Sequence, residues 1–283
     1  MLMQRPLHFR YGPILAAALL EVGLTFAAMR SDAAPATCHA ASGPHTTPLV
    51  ELFTSEGCDS CPPADRWLSA QFPPQFPPQL PPHPSAGGAE PAALALAYHV
   101  DYWDRLGWRD RFASAQFTQR QYDEMRANGA TFVFTPQVLV QGHDAPQWKH
   151  GRVDASLAAI VRRPARASIA LEIAAMPDSL EVGATAMVSD AAARRHAVLW
   201  LAYTDNGHTT DVAAGENRGV RLAHDHVVRS LHGPYAVDAN GAAAPKLAMA
   251  VPRDPGQASA VIAFVQDTRN GDILQALALP ACR

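Results

Sequence analysis

The chain has 283 residues, 48% of them hydrophobic and 17% charged, which is enough apolar material for one large domain or two ordinary ones. Lys plus Arg number 23 against 26 Asp plus Glu, a net charge of -3, so there is no basic footprint and nucleic acid is not an expected partner.

The N-terminus has the pattern of an export signal. Arg5 and Arg10 give a positive start, an apolar run follows over 14–28, and Ala34-Pro35-Ala36 fits a small-residue cleavage site. A signal peptide over 1–36 predicts a periplasmic or secreted mature protein. Glu21 interrupts the run, and no other stretch is long enough to span a bilayer, so no stable membrane span is expected once the signal is removed. The four cysteines, Cys38, Cys58, Cys61 and Cys282, are then read in an oxidising compartment where disulfides persist. Cys58 and Cys61 pair by proximity. Elimination leaves Cys38 with Cys282, a structural bridge joining the two ends of the mature chain.

Past the signal, residues 49–53 form an apolar strand and a polar turn reaches Gly57. Cys58 and Cys61 follow at the start of a helix over 64–71, where Pro62 and Pro63 are tolerated because first-turn N–H groups have no intrahelical partner. Residues 72–90 repeat Phe-Pro-Pro-Gln and read as an inserted polyproline surface loop. A second strand over 92–99 leads into the aromatic, charged loop 101–110. A helix over 114–128 begins at Ser114 and stops at Asn128-Gly129. Thr135-Pro136 introduces a strand over 137–141, with a hairpin return over 145–150 and a helix over 154–162. Arg163-Pro164-Ala165 is the predicted linker.

Beyond it only strands are expected: 168–174, 179–188, 197–204, 219–233, 246–251, 260–266 and 273–279, separated by turn signals such as Asp205-Asn-Gly207 and Arg269-Asn-Gly271. About seven strands in roughly 115 residues predict an antiparallel β-sandwich.

The order of elements over 48–162, with a CxxC after the first strand and Thr135-Pro136 before a later one, resembles the thioredoxin superfamily. Val50-Glu-Leu-Phe-Thr-Ser-Glu-Gly-Cys-Asp-Ser-Cys-Pro-Pro-Ala-Asp65, His99-Val-Asp-Tyr-Trp-Asp104, Phe134-Thr-Pro-Gln137, Gly215-Glu-Asn-Arg-Gly219 and His226-Val-Val-Arg229 look like the exported bacterial family of unknown function called DUF1223. The expected fold is an α/β thioredoxin-like domain over 37–163 followed by an antiparallel all-β sandwich-like domain over 165–283.

A cysteine at a helix N-terminus is favoured as a thiolate by unpaired N–H groups and the helix dipole. Cys58 is therefore the candidate nucleophile and Cys61 the resolver in thiol–disulfide exchange, with exported protein thiols or a redox partner protein as substrates and no cofactor. The thioredoxin resemblance implies that Glu51, on the strand before the CxxC, is a buried proton acceptor. It also implies that Pro136 is cis and, with Thr135, meets the substrate backbone. Asp101, Trp103, Asp104 and Trp108 follow the second strand and are expected to border the CxxC as a substrate rim or to pack as a lid. The rival reading is a binding or structural protein with a static disulfide. In a copper-handling form of it, His99 or His143 would complete a Cu(I) site with the thiolates. His224 and His226 alternate on one expected strand face and are either surface histidines or a shared ligand pair.

Overall fold

The computed structural model describes residues 36–74, 93–151 and 153–282. The signal expected over 1–36, but for its last residue, and the Pro-rich insertion from residue 75 on lie outside the described residues. In chain order the elements are β1 (Thr37–Ala41), β2 (Leu49–Thr54), α1 (Pro62–Gln71), β3 (Leu94–His99), α2 (Ala115–Ala127), β4 (Gln137–Val140), β5 (His143–Asp144) and α3 (Val153–Ile160). Then follow β6 (Ala167–Ala175), β7 (Ser179–Val188), β8 (Ala197–Asn206), β9 (His208–Asp211), β10 (Arg221–His224), β11 (Val227–Ala236), β12 (Ala242–Ala243), β13 (Lys246–Ala250), β14 (Gln257–Asp267) and β15 (Ile273–Pro280). The protein is mostly β, with strands in several sheets.

Eight strands form one sheet in the order β15-β14-β8-β11-β3-β2-β4-β5. β2 and β3 are parallel, from Leu49 opposite Leu94 to Thr54 opposite His99, as a crossover through a helix requires. β4 runs antiparallel to β2. β11 joins the other edge of β3 in parallel at Val227 and Ala97, and the Ala97 N–H donates to the His226 carbonyl at 2.8 Å. An uncovered β3 edge would leave backbone groups without partners, and β11 covers that edge through this one bridge. The linker expected at residues 163–165 therefore connects α3 to β6 covalently, while the sheet takes strands from both sides of it.

Alternation along the strands gives this sheet two different faces. One face carries Leu49, Phe53, Tyr98, Ala202, Ile262 and Phe264 and is covered by α2 through Phe117. The other face is divided. Val50, Leu52 and Val138 lie beneath α1 and α3, through Leu68 and Leu157. Leu199, Leu201, Val261 and Val265 share a core with a five-stranded sheet in which β6 pairs β1 and β7, and β7 also pairs β12 and β13. In β6 the buried residues are Ala167, Ile169, Leu171 and Ile173, each followed by a less buried one, the period-two pattern of a sheet with one face inward.

The expected strand over 219–233 is two strands, β10 and β11. The chain reverses between them through His226, whose φ is 57°. The return strand expected over 145–150 is a turn and a short 3-10 segment, Trp148–His150; the pairing back onto β4 is made by His143–Asp144. β1, β9 and β12 are short, and no long apolar alternation marks them.

Cys38 and Cys282 are bonded, with Cα atoms 6.1 Å apart across 244 positions of sequence. A cross-link over so long a loop removes much unfolded-state entropy, on the order of 5 kcal/mol in the chain-entropy account. The double variant Cys38→Ser/Cys282→Ser is expected to unfold at clearly lower urea than the wild type without reductant. An unchanged midpoint would contradict this.

The α2 face also buries charge. Arg120 is 2% exposed; its Nε donates to Glu51 Oε1 at 2.9 Å, and Nη1 lies 3.4 Å from Glu124. Its guanidinium stands 4.9 Å over Phe264 and 5.4 Å over Tyr98 and Trp200. Burial pushes Glu124 up to about 7; Arg120 opposes this, and Glu51 and Asp123 add to it. The native state then holds a Glu124 proton that the unfolded chain has released, so the stabilisation is full below the unfolded Glu value and is lost as pH rises through about 7. Glu124→Gln is expected to flatten the fall in stability between about pH 4.5 and 7 in a urea series. A wild-type slope in the variant would contradict it.

Candidate functional site

The CxxC lies at the N-terminus of α1, against the end of β2. The loop tightens in steps. Ser55 Oγ accepts the Gly57 N–H at 3.1 Å, Ser55 O accepts the Cys58 N–H at 3.2 Å, and Cys58 O accepts the Cys61 N–H at 3.2 Å. Cys61 already has helical dihedrals (φ -78°, ψ -39°), with Pro62 and Pro63 as the first helical residues. Cys58 and Cys61 are bonded to each other, Cα to Cα 5.4 Å. Both residues are 0% exposed.

A roof from the C-terminal half explains that burial. Residues 212–220 loop from the end of β9 toward β10 and lie over the CxxC. Asn217, 5% exposed, donates from Nδ2 to Glu56 O and to Cys58 O, both at 2.9 Å. Glu216 Oε2 accepts the Asp59 N–H at 3.3 Å. Gly215, at φ 73°, lies so close to Trp108 that a Cβ there would sit 3.1 Å from the Trp108 Cβ. On another side Trp103 packs on Gly57, where an added Cβ would come within 3.0 Å of the Trp103 Cβ. That close approach, rather than a left-handed φ, is why residue 57 has no side chain. Trp103 Nε1 donates to Thr135 Oγ1 at 2.8 Å, which ties the CxxC loop to Thr135-Pro136. The Thr135–Pro136 peptide is cis.

Beneath the disulfide lies a buried cluster of acids and imidazoles. His99, at the end of β3, donates from Nδ1 to Asp110 Oδ2 at 2.7 Å. The same carboxylate accepts the Glu56 N–H at 2.8 Å, and its other oxygen accepts the Phe112 N–H at 2.9 Å. Burial raises the Asp110 pKa, but His99 and these two N–H groups outweigh it and hold the carboxyl below its ordinary value. Burial lowers His99, and Asp110 outweighs that, so the imidazole is held above its ordinary value. Glu56 Oε2 accepts from Trp108 Nε1 at 2.8 Å, and Oε1 lies 3.3 Å from His224 Nε2. His224 packs edge-on against His99, ring centroids 4.9 Å apart. Asp65, in the first turn of α1 and 8% exposed, completes the cluster. Burial pushes its carboxyl pKa up, against the pull of His224, His99 and Thr54.

The DUF1223 family model, described as a protein of unknown function, matches residues 49–266. The chain belongs to the DUF1223 family. Two solved structures resemble it. A structural-genomics crystal structure of a protein from Agrobacterium tumefaciens is 25% identical, with a TM-score of 0.53, over 84% of this chain and 96% of that one. HBP35 of Porphyromonas gingivalis is 14% identical, with a TM-score of 0.61, over 85% of this chain and 76% of that one, a likeness of fold. No curated protein matches.

In this DUF1223 protein Glu51 is not beside the CxxC. It faces α2, across the sheet from α1, and is bonded to Arg120. One position sets the face of a strand, and an odd residue number in β2 points away from α1. Asp101 is bound to α2: it accepts from Thr118 Oγ1 at 2.6 Å, and its own N–H donates back to that oxygen at 3.1 Å. His143 bonds Asn128 and Asp272 near Val140, at the end of β2 opposite the CxxC. His224 enters the buried cluster, whereas His226 Nε2 bonds Phe72 O, so the two do not share a face. Among the described residues no three His, Cys, Asp or Glu side chains are arranged to hold a metal ion. Sequence reading left out Asp65, Asp110 and Asn217. The Gly215-Glu-Asn-Arg-Gly219 motif marked the roof, but its distance from the CxxC in sequence gave no reason to join them.

Proposed function

We propose that this DUF1223 protein carries out thiol–disulfide exchange through Cys58 and Cys61 on an exported protein, from a thioredoxin-like front half and in the periplasm or outside the cell. The observation that carries the reading is the cluster beneath the disulfide. A static cross-link does not by itself call for Asp65, Asp110, Glu56, His99 and His224 gathered beside one cysteine pair, and buried titratable groups with shifted protonation cluster at functional sites. The helix N-terminus favours Cys58 as the attacked sulfur and later as the thiolate. Phe132 and Phe134 lie beside Thr135-Pro136 and are 67% and 40% exposed, an apolar surface suited to a protein substrate.

A second reading has its own support. Both cysteines are fully buried, as in a structural bond. Equilibration with glutathione buffers decides between the two. Exchange predicts a potential in the range of oxidoreductases, and mixed disulfides trapped on Cys61→Ser but not on Cys58→Ser. A potential below about -300 mV, with no trapped partner, would mark a structural bond.

A further inference from the structure

We propose that Asp65, one helical turn beyond Cys61 and backed by the His99–His224 pair, is the acid–base group that passes a proton to and from the Cys61 sulfur; this rests on the exchange reading above. Cys61 is helical, and the Asp65 N–H donates to its carbonyl at 3.2 Å, the bond of residues four apart. Such residues share a helix face, and the later side chain leans back over the earlier turn. Both are buried, Cys61 at 0% and Asp65 at 8%. No other carboxyl of α1 is available, since Asp65 is its one acidic residue.

The groups facing Asp65 fit a relay. Thr54 at the end of β2, His224 from β10, His99 from β3 and Asp110 from the loop before α2 are the groups that act on its carboxyl. Glu56 sits 3.3 Å from His224 Nε2. Both ring nitrogens of His224 and Nε2 of His99 are buried without a hydrogen-bond partner. Glu51 and Arg120, across the sheet, are occupied with each other.

In the direction that oxidises substrate, a substrate thiolate attacks Cys58 Sγ. The Cys58–Cys61 bond breaks and its electron pair leaves on Cys61. Asp65 gives its proton to that thiolate and regains one through His224 from solvent. The second substrate thiol loses its proton to solvent and attacks the substrate sulfur of the mixed disulfide. Cys58 leaves as a thiolate that solvent reprotonates. One substrate dithiol is oxidised and one protein disulfide is reduced. In reverse, the Asp65 carboxylate takes the Cys61 proton, and the Cys61 thiolate resolves a mixed disulfide on Cys58.

The test mixes reduced full-length protein with oxidised glutathione from pH 5.5 to 8.5 and follows the Cys58–glutathione adduct by acid quench and mass spectrometry. Asp65→Asn is expected to resolve the adduct about 100-fold more slowly and to lose the wild-type pH dependence, with Asp65→Glu restoring part of both. A wild-type rate and pH profile in Asp65→Asn would overturn the relay while leaving exchange standing. A wild type whose Cys58 and Cys61 stay reduced, with neither adduct nor disulfide formed, would overturn exchange and the relay with it. Should Asp65→Asn not fold, infrared difference spectra of the wild type between oxidised and reduced forms decide. A carboxyl C=O band that changes with reduction is expected, and no change would overturn the proposal.

Discussion

Replacing Asn217 with alanine is expected to speed reduction of the Cys58–Cys61 disulfide by dithiothreitol by about tenfold to a hundredfold. The Asn217 amide spans two carbonyls of the CxxC loop, Glu56 O and Cys58 O, both at 2.9 Å, from a site 5% exposed. Both cysteines are 0% exposed, so a reductant must wait for the roof to lift. Each of the two hydrogen bonds contributes about 1 kcal/mol to the closed roof. Their joint loss raises the open population by a factor of that size. Glu216→Ala removes one contact to the exposed Asp59 and should act in the same direction more weakly. The check is the reduction rate, followed by alkylation and mass at fixed reductant. If Asn217→Ala reduces at the wild-type rate, the roof does not limit access. Far-ultraviolet circular dichroism should be unchanged, because residues 212–220 lie outside the large sheet.

Replacing Arg120 with methionine is expected to cost about 3–5 kcal/mol of stability, the usual penalty for removing one member of a buried pair. Glu51 and Glu124 would be left together, 1% and 3% exposed, with no cation between them. Methionine also cannot keep the contacts of the guanidinium with Phe264, Tyr98 and Trp200. For a chain of this size the loss corresponds to a melting midpoint about 10 °C lower. Arg120→Met/Glu51→Gln should recover part of it by removing one stranded charge. A single variant that melts with the wild type would show that the pair is not what holds α2 on the sheet. Neither variant touches α1, so the disulfide should keep its reduction rate.

The large elements were legible because their patterns are long. β6 and β7 alternate over nine and ten residues, β8 and β14 carry unbroken apolar runs at 197–203 and 260–265, and Asn128-Gly129 closes α2 where the turn chemistry says it should. The pairing of Cys38 with Cys282 followed from elimination, because only four cysteines exist. Glu51 was misplaced because a strand presents its residues alternately, and sequence does not say which face α1 will cover. His226 was read into a continuous strand; its positive φ, which ends β10 and starts β11, leaves no mark in hydrophobic pattern. The roof was the least legible part, since Asn217 lies 159 positions from Cys58 and its partners are backbone carbonyls, which carry no side-chain signature.

The single parallel bridge between β11 and β3 has a consequence for any attempt to divide the chain. Ending it near Arg163 would strip β3 of its neighbour and leave a bare strand edge flanked by Leu94, Leu96 and Tyr98, all buried in the whole protein. An edge of that kind recruits whatever strand it meets, including that of another copy. The same cut would uncover the cysteines. A front fragment made alone would thus be sticky at one border and indiscriminately reducible at the other. The back half supplies both the strand that covers the β3 edge and the roof that buries the cysteines.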